Sequence, residues 1–237
     1  MPSPVRFSYG VTNSGPNAPM YALIAPDPTK LITYFNDFHG YTSGDWTVTE
    51  TSASATQAAT SVNGGVLALT GDSGGGATDV VQLQLPVETF KIIAGKKLWL
   101  KARFALTAGT MNNFGALVGL AITGTSAVAG VTDGFYFRKS TGSSALEMVL
   151  EKDSTEASVT MIAAPGTTTA TYYECAAYYN GKDSVEVYLD GVKVGTHTTL
   201  TALCDDEELS VTIASVNATA AAANVLSIDY IYVATER

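Results

Sequence analysis

Carboxylates at alternate positions of a β-strand share one face, and a pair about 5 Å apart can act as acid and nucleophile in glycoside cleavage. Glu147 and Glu151 stand four residues apart with Met148 and Val149 between them. Glu186 is followed by Tyr188 where a second carboxylate would fall, and then by Asp190. Asp205-Asp-Glu-Glu208 is contiguous, so its side chains diverge. All of these read as solvated acidic positions. The histidines are His39, between Phe38 and Gly40 in an expected loop, and His197, among threonines on an expected exposed edge. Thr123-Gly-Thr-Ser126 reads as a turn, because no Gly-x-Ser-x-Gly elbow surrounds it. Gly71-Asp-Ser-Gly-Gly-Gly76 lacks the lysine and the helix of a phosphate loop, and reads as a loop.

Two histidines and two cysteines fit no zinc spacing. Calcium needs only oxygen ligands, and its candidates are Asp205, Asp206 and Glu207, with Asn180 and Asp183 as a further set. Otherwise no cofactor is expected. Cys175 and Cys204 read as buried free thiols, with a disulfide open only if their strands are neighbours. Tyr172, Tyr173, Tyr178, Tyr179 and Phe135-Tyr-Phe137 supply aromatics. Strand alternation sends half of them inward. The outward half suits either a sugar platform or a protein contact.

The elements that must hold these groups are β-strands. Leu98, Leu100, Ala102, Phe104 and Leu106 alternate with Trp99, Lys101 and Arg103, the signature of a half-buried antiparallel strand. Similar alternation covers 81–85, 146–151, 185–189, 209–213 and 228–232, the last with Ile228, Tyr230 and Tyr232 on one face. Further strands are expected at 31–36, 46–51, 66–70, 115–122, 134–139, 157–162 and 170–179. Asp190-Gly191 between Val185–Leu189 and Val192–Val194 marks a type I′ hairpin. A short helix or an acidic loop is expected near Cys204–Glu208. About thirteen antiparallel strands imply two packed sheets of six or seven strands each, with the first and last strands adjacent.

The 237 residues carry 46% hydrophobic and 15% charged side chains and a net charge of -9. A charged disordered chain is excluded by the apolar content. A nucleic-acid binder is disfavoured by the absence of clustered basic residues. No run of ~18 apolar residues suggests a membrane helix, and no signal peptide is expected, so the chain should be made in a cytoplasm. Six of the eight prolines lie within residues 1–30. That stretch also carries Val5, Phe7, Tyr9 and Tyr21, and reads as an extended arm packing on its own domain or on a neighbouring subunit.

Tyr34-Phe-Asn-Asp-Phe38 followed by Gly44-Asp-Trp-Thr-Val48, the hairpin Val187-Tyr-Leu-Asp-Gly-Val-Lys-Val194, and Ser227-Ile-Asp-Tyr-Ile-Tyr-Val233 resemble, in order, motifs of the concanavalin A-like and laminin-G-like sandwiches. The resemblance implies an all-β, antiparallel two-sheet jelly-roll over residues 31–237. Enzymes of that fold carry a Glu-x-Asp-x-x-Glu pattern. Met148 and Val149 stand where its central Asp would be, so a non-enzymatic protein is expected. The Pro-rich start, low charge and abundance of Thr, Ala and Gly are similar to virion structural proteins of tailed bacteriophages. That resemblance implies capsid decoration through the arm, with Val5, Phe7, Tyr9 and Tyr21 as contacts, the major capsid protein as partner, and a homo-oligomer. The alternative is a carbohydrate-binding module on a tail or capsid surface, recognising host glycans.

Overall fold

The computed structural model describes residues 30–52, 54–62, 64–72, 79–124, 128, 130–166, 171–218 and 224–237. Val5, Phe7, Tyr9 and Tyr21 of the expected arm, and residues 73–76 of the glycine-rich loop, lie outside them.

Sixteen strands follow one another: β1 (Leu31–Asn36), β2 (Thr47–Glu50), β3 (Thr56–Thr60), β4 (Val66–Thr70), β5 (Asp79–Gln84), β6 (Phe90–Lys91), β7 (Leu98–Thr107), β8 (Phe114–Ala121), β9 (Gly134–Lys139), β10 (Leu146–Lys152), β11 (Thr155–Ile162), β12 (Tyr172–Tyr179), β13 (Val185–Leu189), β14 (Val192–His197), β15 (Glu208–Asn217) and β16 (Val225–Glu236). Among the described residues, two short 3₁₀ turns, Ser43–Asp45 and Met111–Asn113, interrupt them. The sequence reading lacked β3 and β6. β3 is small and polar (Thr-Gln-Ala-Ala-Thr), and β6 is only two residues long, so neither carries a period-two signal. Residues Cys204–Glu207 form a loop, with no helix.

The strands form two eight-stranded antiparallel sheets. Sheet one runs β14-β13-β12-β7-β16-β4-β3, with β1 also on β16. Sheet two runs β11-β10-β9-β8-β15-β5-β2, with β6 also on β15. The first and last strands pair as expected, from Leu31 opposite Glu236 to Asn36 opposite Ile231. Leu98, Leu100, Phe104, Cys175, Val187 and Val233 of sheet one face Val118, Phe135, Phe137, Met148, Val211 and Ile213 of sheet two. The rings of Phe104 and Phe137 meet across the interface, 6.4 Å between centroids. Each such side chain removed from water contributes about 1.5–3 kcal/mol, which makes this layer the principal source of stability.

Three local features shape what the sheets present. The Asp190-Gly191 turn has φ of 49° and 78°, the pair of positive values that a type I′ hairpin requires. A bulge in β16 at Asp229 sets Ile228 opposite Phe104 but Tyr230 opposite Arg103. The extra residue reverses the alternation. Ile228, Ile231 and Val233 therefore face the core, whereas Tyr230 and Tyr232 face outward, correcting the expectation that all three even-numbered residues share a face. Lys139 ends the inner face of β9 fully buried, and its ammonium donates to the carbonyls of Met111, Phe114 (2.6 Å) and Ser140 (2.9 Å). Burial pushes its pKa down to about 8.

Candidate functional site

A sandwich can offer a ligand the outer face of either sheet. In sheet two that face is covered by the chain itself. The Tyr136 ring lies against Gly134, where a Cβ would come within 2.6 Å of it. Leu117, Val149 and Ala214 surround it, and Val128 and Val131 pack over them. Beside this apolar patch, Gln84 donates to the Ile122 carbonyl (3.1 Å) and to Thr212 (2.9 Å), and accepts from the Gly124 amide (3.0 Å). Gln82 donates to the Gly124 carbonyl, and Glu88 accepts from both the amide and the hydroxyl of Thr123 (2.7 Å each). Residues 122–124 are thus pinned to the sheet.

Glu147 and Glu151 lie on this covered face, and Glu151 is buried instead of solvated as expected. Glu147 and Glu151 share a strand face, but Val149 between them is fully buried. Glu147 pairs with Arg138 at 3.5 Å, and Arg138 also forks onto Glu156 at 2.5 and 2.6 Å. Glu151 accepts from the Tyr136 hydroxyl. Burial raises the Glu151 pKa, and raises that of Tyr136 far beyond the phenol range.

The outer face of sheet one is open, and its residues follow from strand register. Tyr188, Ala176, Lys101 and Tyr232 stand side by side on β13, β12, β7 and β16. The neighbouring row is Glu186, Tyr178 and Trp99. Ala176 is the small member among large ones, so the surface sinks over it. A groove of about 440 Å³ results, lined by Trp99, Tyr178, Tyr188, Tyr232, Glu174 and Glu186, among others. Trp99 and Tyr178 support one another with ring centroids 4.8 Å apart.

Polar groups in the groove are held in fixed geometry. Glu174 accepts from Lys101 and from the Tyr230 hydroxyl, both at 2.7 Å. Burial alone would raise its pKa, but these two partners outweigh burial and lower it. Glu186 accepts from Lys193 (2.5 Å) and Tyr188 (2.6 Å), and these bonds lower its pKa. The hydrogen bond to Glu186 in turn pushes the Tyr188 phenol up to about 12. The Tyr232 hydroxyl is buried and has no partner among the described residues; burial pushes it up to about 12. Next to the groove, Arg103 pairs with Asp229 and lies over the Tyr172 ring, 4.6 Å from its centroid.

Of the aromatics expected to divide between core and surface, Tyr178 and Tyr172 join this open face. Tyr173, Tyr179, Phe135 and Phe137 enter the core, and Tyr136 lies beneath the covering segment. Trp99 was placed correctly on the polar face of its strand, while Tyr188, Tyr230 and Tyr232 were not singled out as site residues. The Asp229 bulge hides the last two.

The remaining candidates are scattered. His39 is exposed, 2.8 Å from Asp37. His197 is buried, contrary to the expected exposed edge, because β14 packs beside sheet two; its Nε2 lies 3.3 Å from the Met148 carbonyl of β10. Cys175 and Cys204 are free and buried. Asp205 and Asp206 converge on Lys152, at 2.5 and 3.3 Å. Among the described residues, the group able to offer a metal three ligands is Asp133, Cys204 and Asp206, which leaves out Asp205 and Glu207. Asn180 folds onto its own loop, accepting from the amides of 182–184 and donating to Asp183 and Ser184.

Neither a family model nor a curated relative matches the sequence. Solved structures do match in shape. The endo-1,3-beta-glucanase from Streptomyces sioyaensis superimposes with a TM-score of 0.58 at 14% identity, covering 88% of this chain and 98% of that one. The Emp46p carbohydrate recognition domain gives 0.55 at 10% identity, covering 84% and 94%. The carbohydrate esterase vb_24B_21 from Shiga toxin-encoding bacteriophage phi24B gives 0.51 at 15% identity, covering 86% and 96%. The fold is the concanavalin A-like, lectin-type sandwich. These neighbours include a glucanase, a carbohydrate esterase and a carbohydrate recognition domain, so the shared fold alone does not assign one activity.

Proposed function

We propose that this protein binds carbohydrate through the groove over Ala176. The observation that carries the reading is the hollow itself. A small residue sits between Tyr188 and Lys101, and aromatic rings and hydrogen-bonding groups surround it. Sugar rings offer an apolar face to aromatic planes and hydroxyls to carboxylates, and this groove supplies both. The carbohydrate recognition domain among the fold neighbours supports the same class of ligand.

The reading is one of binding without turnover. Glycoside cleavage by paired carboxylates needs one of them held protonated. Glu174 and Glu186 are both stabilised as anions by cationic and phenolic donors, which suits hydrogen-bond acceptors and not a proton-donating acid. The test is a glycan array followed by calorimetry on the hits, with Ala176→Trp to fill the groove. The wild type should bind, and the variant should lose roughly tenfold or more in affinity while keeping its melting temperature. An array without signal, or a variant that binds like the wild type, would refute the groove as the site.

Attachment to a virion through Val5, Phe7, Tyr9 and Tyr21, with the major capsid protein as partner and a homo-oligomeric state, is a separate proposal from the sequence. Deleting residues 1–25 and measuring retention on purified particles tests it. Full retention would refute the arm's role.

A further inference from the structure

Resting on the carbohydrate reading, we infer that the ligand is a neutral, linear oligosaccharide that crosses the strands of sheet one from Tyr188 to Phe35, with Phe35 as a second stacking platform beyond the groove. Register extends the groove's row by one more strand, because Tyr232 of β16 stands opposite Phe35 of β1. Phe35 is 60% exposed, on the same outer face. Its ring lies 6.3 Å from both Tyr230 and Tyr232, which hold it upright at the rim. From Tyr188 to Phe35 the row crosses β12, β7 and β16, so its ends are four interstrand spacings apart, about 19 Å. A row of that length suits several linked sugar rings and not one. A monosaccharide seated over Ala176 would leave Phe35 without a role, whereas a chain lying along the row would stack on it.

The charges on this face select against acidic sugars. Lys101 pairs with Glu174, Arg103 with Asp229 and Lys193 with Glu186. Each cation already has its carboxylate, so a uronate or sulfate group would have to displace an internal partner. The net charge of -9 adds a general repulsion toward polyanions. Hydroxyl groups face no such competition, since the carboxylates keep lone pairs.

The experiment is titration calorimetry with β-1,3- and β-1,4-linked gluco-oligosaccharides of two to six units, beside oligogalacturonates of the same lengths. Affinity for the neutral ladder should rise roughly tenfold between disaccharide and tetrasaccharide and then level off. Phe35→Ala should erase that gain and leave disaccharide binding unchanged, while Phe35→Tyr should preserve it. Melting temperatures check that all variants are folded. Equal affinity for disaccharide and hexasaccharide, or an inert Phe35→Ala, would overturn the extended row while leaving the groove intact. Tighter binding of oligogalacturonates would overturn neutrality. No binding of any probe, by either wild type or Ala176→Trp, would instead bring down the carbohydrate reading itself.

Discussion

Substituting Lys139→Met removes a charge that the fold keeps out of water and leaves the apolar stem in place. In the folded chain the ammonium has no exposure, and three carbonyls hold it. Burial lowers its pKa from 10.5 to about 8. Each decade of proton affinity is worth about 1.4 kcal/mol, so the drop corresponds to about 3 kcal/mol. The sign follows from which state holds the proton. Below pH 8 both folded and unfolded chains keep it, and the full cost of the buried charge is present. Between pH 8 and 10.5 the unfolded chain binds the proton that the folded chain has released, so stability rises with pH across this window. The variant has no such group. Urea unfolding of both proteins from pH 7 to 10.5 should therefore show their difference in stability swinging by about 3 kcal/mol toward the wild type. Other groups titrate in both proteins and cancel in the difference. At every pH the variant also loses the ammonium's hydrogen bonds, although the Met111 and Ser140 carbonyls keep the amides of Phe114 and Ser143, and that offset does not depend on pH. A difference that stays flat from pH 8 to 10.5 would refute the reasoning: the three carbonyls would then offset burial and hold Lys139 near its ordinary pKa.

Three further outcomes are expected. Burial pushes the Cys204 thiol up to about 12 and that of Cys175 higher still, so Ellman's reagent should label neither in native protein at pH 8 and both in denaturant; rapid native labelling would contradict their burial. Gly134→Ala sets a methyl 2.6 Å from the Tyr136 ring and should cost about 1–3 kcal/mol in thermal unfolding, whereas an unchanged melting temperature would mean that Tyr136 does not lie over this glycine. Burial lowers the His197 pKa below 6.5, so the unfolded chain takes up this proton first as the pH falls; stability should decline below pH 6.5 more steeply than in His197→Gln, and parallel pH profiles would refute this.

Most of the fold was legible because period-two alternation is strong where one face is buried and the other wet. The strand carrying Trp99, Lys101 and Arg103 is the clearest case, and the Asp190-Gly191 turn announced its hairpin. The site was harder. Its decisive residue, Ala176, has no chemistry of its own and matters only because Tyr188 and Lys101 flank it on separate strands. Tyr230 and Tyr232 were assigned to the wrong face relative to Ile228, since one extra residue at Asp229 resets the alternation. A signal was present: Ile228 and Ile231 are three apart, a spacing that an uninterrupted strand cannot place on one face. His197 misled because threonine-rich surroundings suggest an exposed edge, whereas the packing of β14 against sheet two depends on tertiary contacts. Glu147 and Glu151 were correctly given one strand face, but the cover over Val149 comes from a distant segment.

That cover satisfies the outer face of sheet two from within the chain. Gln82, Gln84 and Thr212 form a floor of side-chain donors and acceptors, and residues 122–124 lie on it as a peptide would in a binding cleft. Because this peptide is tethered at both ends, its effective concentration is in the millimolar range or above. The outer face of sheet two is thus occupied by the chain's own residues 122–124, whereas the face over Ala176 stays open.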